Sequence, residues 1–374
     1  MKIGLIVNPI AGMGGSVALK GTDGGAILAE ARRRGAEALA PVRARRALAR
    51  LALLSTNGAP VEILTPPGIM GGDAARAAGL EVELMAENTG IETTAQDTRR
   101  AAAALCARGA ALILFAGGDG TARDILDAAG GDQPILGIPA GVKMQSAVFA
   151  IGPEAAGELA ALLARDRDGR IAFREAEVMD IDEDAVRAGS LAARLYGYAL
   201  TPFERRLMQG PKTGASNDDS ALDALCREIA GEMSPGILYI LGPGTTTRRV
   251  LHHLGLEGSL LGVDAVLDGR LIGRDLSSAD LAALAAKHPA RILLGIIGGQ
   301  GYTFGRGNQQ IGPEIIRKVG RDNIILLASQ QKILALGESR LLADTGDPLV
   351  DAWLSGYIRV RLAPGLSTMM RIEA

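Results

Sequence analysis

The feature that most constrains this chain is the passage from Ala110-Ala-Leu-Ile-Leu-Phe115 into Ala116-Gly-Gly-Asp-Gly-Thr121. An unbroken apolar run of this length reads as a strand buried on both faces, as in a parallel sheet. The glycines after it predict a tight turn, with a helix starting near Ala122. A glycine turn lets backbone N–H groups approach a polyanion without side chains in the way. The helix N-terminus adds donors and partial positive charge. A carboxylate among phosphate-binding groups points to chemistry. Asp119 is therefore a candidate Mg²⁺ ligand or general base, and its structural alternative is a cap on the turn.

The same strand–turn–helix pattern recurs. Ile3–Val7 reads as a buried strand, followed by Asn8-Pro9 and the glycine-rich turn 10–15. Lys20-Gly-Thr-Asp-Gly24 precedes one long helix, about 26–54. Strands are predicted at 61–64 and 80–85, a helix at 93–108 capped by Thr93 or Thr94, and a strand at 134–138 before the loop 139–144. Such alternation predicts a doubly wound parallel sheet, with ligands at the carboxyl ends of the strands. At 374 residues two domains are expected.

After about residue 150 the character changes. A helix at 153–165 leads to exposed strands at 174–181 and 195–200, and the polar stretch 212–220 reads as a surface loop. From Gly236 the glycine turns return. Strands are expected at 237–241, 260–267, 292–297, 323–328 and 333–336, and a last one at 354–360. Gly242-Pro-Gly-Thr-Thr-Thr247 opens a helix, and Gly312-Pro313 starts another with proline in its first turn. The expected organisation is 1–150 as a Rossmann-like nucleotide-binding domain, 151–340 as a second, β-rich or α/β domain for the acceptor, and 341–374 returning to the first domain.

Composition narrows the function. The chain is 48% hydrophobic but only 3% aromatic, so its cores are built from Ala, Leu, Ile and Val. A net charge of −2 gives no pull toward nucleic acid or an anionic membrane. Cys106 and Cys226 lie in helical patterns and read as small buried hydrophobes, which fits the cytoplasm. The three histidines, 252, 253 and 288, lack metal-ligand spacing. No uncharged apolar stretch reaches the ~18 residues of a membrane span, and Ile3–Val7 is too short for a signal sequence. The expectation is a cytoplasmic protein with small-molecule substrates and no nucleic-acid or membrane partner, working as a homo-oligomer, a dimer.

The motifs in chain order are Val7-Asn-Pro-Ile-Ala-Gly12, Gly117-Gly-Asp-Gly-Thr121, Ile135-Leu-Gly-Ile-Pro-Ala-Gly141 and Gly242–Thr247. This series resembles the superfamily of NAD kinases and diacylglycerol or sphingosine kinases. The strings Lys20–Gly24, Gly137–Met144 and Gly298-Gly-Gln-Gly-Tyr-Thr-Phe-Gly-Arg-Gly-Asn-Gln-Gln310 are similar to the ATP- or polyphosphate-dependent NAD kinase branch linked to acetoin catabolism. The resemblance implies an NAD kinase-like α/β fold and a phosphotransferase. ATP or polyphosphate, with Mg²⁺, would be the donor, and a hydroxyl of NAD or a related metabolite the acceptor. Two motifs depart from the family. No asparagine–acid pair follows a strand in the second domain, and Arg248 stands where a tyrosine usually follows the threonine turn.

The candidate roles follow. Asp119 is the catalytic candidate. Asn8, Gly12, Gly117, Gly118, Gly120, Thr121, Gly244, Thr245 and Thr246 are candidates for phosphate or nucleotide. Asp23, Lys143, Arg306, Asn308 and Gln309 are candidates for the acceptor. Since each glycine turn follows an apolar strand, these loops are expected to line one cleft. The 298–310 loop is expected to lack secondary structure and contact ligand. Two other functions remain open: a nucleotide-binding accessory or sensor protein without turnover, and a lipid kinase of the diacylglycerol kinase type.

Overall fold

A computed structural model describes residues 1–19, 25–55, 60–86, 93–141, 144–166, 168–181, 193–208, 220–297, 300–336 and 340–373. Asp23, Lys143, Gly298, Gly299 and the polar stretch 212–219 lie outside the described residues. The chain forms two compact units. The first is Met1–Met13, Gly21–Leu28 and Glu37–Gln209, and the second is Gly14–Lys20, Ala29–Ala36 and Gly210–Ala374.

The elements of the N-terminal part, in order, are β1 (Lys2–Val7), α1 (Gly25–Arg33), α2 (Leu39–Ser55), β2 (Glu62–Thr65), α3 (Gly72–Ala77), β3 (Glu81–Leu84), α4 (Ala95–Ala107), β4 (Leu112–Gly117), α5 (Asp119–Ala129), β5 (Ile135–Pro139), α6 (Pro153–Arg165), β6 (Ala172–Ile181) and β7 (Ala193–Phe203). Five strands form a parallel sheet in the order β3-β2-β1-β4-β5. The chain winds outward in both directions from β1 and β4, so the order reverses between them. Alternate residues of each strand feed opposite layers, as the two-residue period requires. Ile3, Leu5 and Val7 pack with α2 and α6, whereas Ile6, Ile113 and Phe115 pack with α4 and α5. Helix α4 begins in a capping box of Thr94 and Asp97, so of the two expected N-caps, Thr93 and Thr94, the second holds the position.

The predicted helix 26–54 is two helices. Gly35 between them has φ +78°, a left-handed conformation that stops α1. The predicted boundary near 150 moves to about 209. Two contacts hold the intervening residues in the first unit. Gly157 lets α6 approach α2 so closely that a Cβ there would lie 2.0 Å from Ala47 O. The β6–β7 hairpin buries Ala176, Val178 and Ala199 in the α4/α5 layer.

The second unit continues with α7 (Ser220–Gly231), β8 (Leu238–Leu241), α8 (Thr245–His253), β9 (Asp264–Leu267), β10 (Arg270–Gly273), α9 (Ser278–Lys287), β11 (Ala290–Gly295), β12 (Tyr302–Phe304), α10 (Pro313–Val319), β13 (Ile324–Leu327), α11 (Gln330–Leu334), β14 (Arg340–Ala343), α12 (Pro348–Leu354), β15 (Gly356–Ala363) and β16 (Leu366–Glu373). Nine strands form a mixed sheet in the order β10-β9-β8-β11-β13-β15-β16-β14-β12. The chain therefore has the expected fold class, a doubly wound parallel sheet followed by a second sheet domain.

Three expectations change in this unit. Residues 341–374 do not return to the first sheet. Leu326 pairs with Val360, and β15 pairs with β16 in the second sheet, where Ile358, Val360, Leu362, Met370 and Ile372 enter its core. Residues 333–336 are not a strand: α11 begins at Gln330, and the Ser329 side chain accepts from Lys332 N. The 298–310 string is not without secondary structure, because it contains β12, paired with β14.

Candidate functional site

The register of the first sheet brings three loops together. Val7 lies beside Ala116, and Gly117 beside Pro139. Asn8 N donates to Ala116 O (2.9 Å), while Ala140 N and Gly141 N both donate to Gly117 O (2.9 and 3.1 Å). The contact between loops is backbone on backbone. A Cβ on Gly12, which has φ +80°, would lie 2.0 Å from Ala140 O, and one on Gly141 would lie 2.8 Å from Gly118 Cα. The Asn8 amide donates to Thr121 Oγ1 (2.9 Å) and accepts from Ile10 N (3.3 Å), fastening the first motif to the start of α5. Gly120 faces open space, since nothing lies within 4 Å of its Cβ position. The result is a surface of bare backbone at the carboxyl ends of β1, β4 and β5, beside a helix N-terminus.

Asp119 is the first residue of α5 and is 6% exposed. Its carboxylate reaches across to the loop after β5. Oδ2 accepts from Gln145 N (2.7 Å), and Oδ1 accepts from Ser146 N (3.0 Å) and Ser146 Oγ (2.6 Å). Ser146 Oγ in turn accepts from Met179 N on β6 (2.9 Å). These donors fix one orientation of the carboxylate. Further along α5, burial pushes the Asp124 carboxyl up, against the pull of Arg99 at 2.8 Å.

In the second unit the Gly242–Thr247 turn follows β8 and opens α8, with Gly244 as N-cap at φ +126°. Thr247 Oγ1 turns back to Gly242 O (2.6 Å) and Gly244 O (3.1 Å). Thr246 is buried and Thr245 exposed. Lys332 Nζ, at the start of α11, donates to Thr246 Oγ1 at 3.5 Å.

Residues 3–167 match the ATP-NAD kinase N-terminal domain, and residues 235–371 match the ATP-NAD kinase C-terminal domain. The chain belongs to the NAD kinase family. No curated protein and no solved structure matched it.

As an NAD kinase family member the chain is a kinase-type phosphotransferase. Its first domain gathers Asn8, Gly12, Gly117, Gly118, Asp119, Gly120 and Thr121, and its second presents Gly244, Thr245 and Thr246 together. Arg306 turns inward instead. Its guanidinium lies over the Tyr302 ring (4.6 Å), donates to Tyr302 OH (3.3 Å) and stands 3.5 Å from Asp344 Oδ2. Asn308 holds its own loop: Oδ1 accepts from Gly305 N and Nδ2 donates to Thr303 O, both at 2.8 Å. Gln309 lies against Gly15. Asn308→Ala should therefore cost about 1–3 kcal/mol of stability, because two buried hydrogen bonds are lost. Urea unfolding would measure it, and an unchanged midpoint would count against this role.

Among the described residues no group of three His, Cys, Asp or Glu side chains is arranged to hold a metal. A Mg²⁺ ion that arrives with a polyphosphate needs only one or two carboxylates. Asp119 is the carboxylate at the glycine loops, and its oxygens, though each already accepts from the 145–146 loop, keep further lone pairs for a cation. No helix among the described residues is long and apolar enough to cross a membrane.

Two residues escape the sequence reading. Ser146 positions Asp119, and its only local signal is a hydroxyl at the edge of the apolar run 147–151. Lys332 reaches Thr246 from a helix whose apolar residues imitate a strand.

Proposed function

We propose that this chain transfers a phosphoryl group from ATP or polyphosphate to a hydroxyl of NAD or a related small metabolite. The observation that carries this reading is the meeting of three glycine loops around one oriented carboxylate. The glycine backbones and the N-terminus of α5 would bind phosphate oxygens. Asp119 would orient the acceptor hydroxyl and take its proton while the acceptor oxygen bonds to phosphorus and the bond to the leaving oxygen breaks. Mg²⁺, when bound, would spread the charge of the donor's phosphates; in the alternative role Asp119 is its protein ligand rather than the base.

In the second domain Thr245, Thr246 and Lys332 would hold a phosphate of donor or acceptor. Lys332→Met should then raise one substrate's KM about tenfold, or about 1.4 kcal/mol, without moving the melting temperature. Steady-state kinetics and thermal unfolding check both halves. Domain matches of NAD kinase type at both ends of the chain favour a dinucleotide acceptor over a lipid. The strings at 137–144 and 298–310 support the branch linked to acetoin catabolism, and a cytoplasmic dimer completes the reading. ATP and polyphosphate consumption against a panel containing NAD and other hydroxyl acceptors is the direct test. Turnover with none of them would favour a nucleotide-binding accessory protein.

A further inference from the structure

The β6–β7 hairpin carries a second polar cluster, apart from the glycine loops. Arg174 on β6 stands opposite Thr201 on β7. By the two-residue period Arg174 shares its face with Ala176 and Val178, the face that packs inward. Its guanidinium carbon lies 4.0 Å from the centre of the Phe203 ring. Nε and Nη2 are both buried, and neither has a hydrogen-bond partner. Thr201 is 0% exposed, and its Oγ1 also lacks a partner.

Among the described residues, the two arginines buried as whole residues have partners. Arg43 donates to Pro139 O at 3.0 Å, and Arg306 faces Asp344. For Arg174, burial pulls the guanidinium below its ordinary range, and no charged neighbour contributes. Even a half-buried cation is unfavourable when its buried donors have neither partner nor counter-charge. The two orphan nitrogens form one edge of the guanidinium, the edge that grips an oxyanion with two parallel hydrogen bonds. The Thr201 hydroxyl, on the residue directly across the ladder, offers a third donor.

We propose that Arg174 and Thr201 form a binding site for an oxyanion, a carboxylate or phosphate group, with the Phe203 ring supporting the guanidinium. The site lies on the strand whose Met179 N donates to Ser146 Oγ, so a bound anion braces the strand that braces Asp119.

The test uses the full chain in Tris chloride, titrated with inorganic phosphate or with acetate, and read by calorimetry and thermal unfolding. Wild type should bind one of these anions saturably and melt at a higher temperature when it does. A response to phosphate alone identifies a phosphorylated ligand, and a response to acetate alone a carboxylate. Because the glycine loops also offer phosphate donors, the decisive comparison is with Arg174→Met. That variant should bind the anion at least about tenfold more weakly, yet melt at or above the wild-type temperature without it. Equal anion binding by the two proteins, or a lower melting temperature for Arg174→Met in Tris chloride, would overturn the proposal. Thr201→Val keeps the shape of the site, removes only its hydroxyl, and is a second, independent test. It should weaken anion binding, and wild-type binding in that variant would likewise overturn the proposal.

Discussion

Asp119→Asn is expected to lower turnover by about 10²–10⁴-fold, the usual contribution of a positioned acid–base group. It should also lower stability by about 1–3 kcal/mol. The sequence alone suggests a variant that folds as wild type, because asparagine keeps the shape. The geometry says otherwise. Both carboxylate oxygens accept hydrogen bonds, from Gln145 N on one side and from Ser146 N and Oγ on the other. An amide offers one acceptor and sets its NH₂ against a donor. Ser146→Ala separates the two effects. It removes two hydrogen bonds, the one to Asp119 Oδ1 and the one accepted from Met179 N, but leaves the carboxylate, so it should cost about 1–3 kcal/mol and much less turnover than Asp119→Asn. Kinetics and urea unfolding of both variants decide the matter. Near-full turnover in Asp119→Asn would reduce Asp119 to a brace for the 145–146 loop.

Gly12→Ala should be the most damaging small substitution in the first domain. A left-handed conformation at a non-glycine residue costs about 1–3 kcal/mol, and the new methyl would collide with Ala140 O, a backbone atom. Overpacking adds about 1–3 kcal/mol, so a total loss of about 2–6 kcal/mol is expected. Relief requires the 139–141 loop to move, which would pull Gly141 off Gly118 and weaken nucleotide binding. Gly120→Ala is the control. Its Cβ position is open and lies in the first turn of a helix, so stability should be unchanged or slightly higher. Equal unfolding midpoints for Gly12→Ala and wild type would show that the loops yield more easily than their packing implies.

The parallel strands were readable because burial on both faces leaves an unbroken apolar signature, and the caps at Thr94 and Pro313 because capping chemistry is local. What was misread depends on distant partners. Residues 333–336 look like a strand from their apolar content, and only the Ser329 cap betrays the helix. The strand expected at 354–360 exists as β15, but its sheet is not announced, since its neighbour is β13 rather than anything in the first domain, and its other partner β16 is not anticipated. The site divides in the same way. The glycine loops and Asp119 stand out as motifs. The inward turn of Arg306 depends on Asp344, and the orientation of Asp119 on Ser146, partners that residue type alone does not disclose.

The division of the chain into units has a consequence for its biosynthesis. Gly14–Lys20 and Ala29–Ala36 belong to the second unit, although they lie near the N-terminus. Ser16 O accepts from Ser278 N (2.9 Å), and Gly15 lies beneath Gln309. These residues precede their partners in the chain, which emerge from the ribosome only after the whole of the first sheet has been made. The first sheet can form while translation continues, with residues 14–19 waiting. A fragment beginning at 210 would lack them and leave the Ser278 amide without its acceptor.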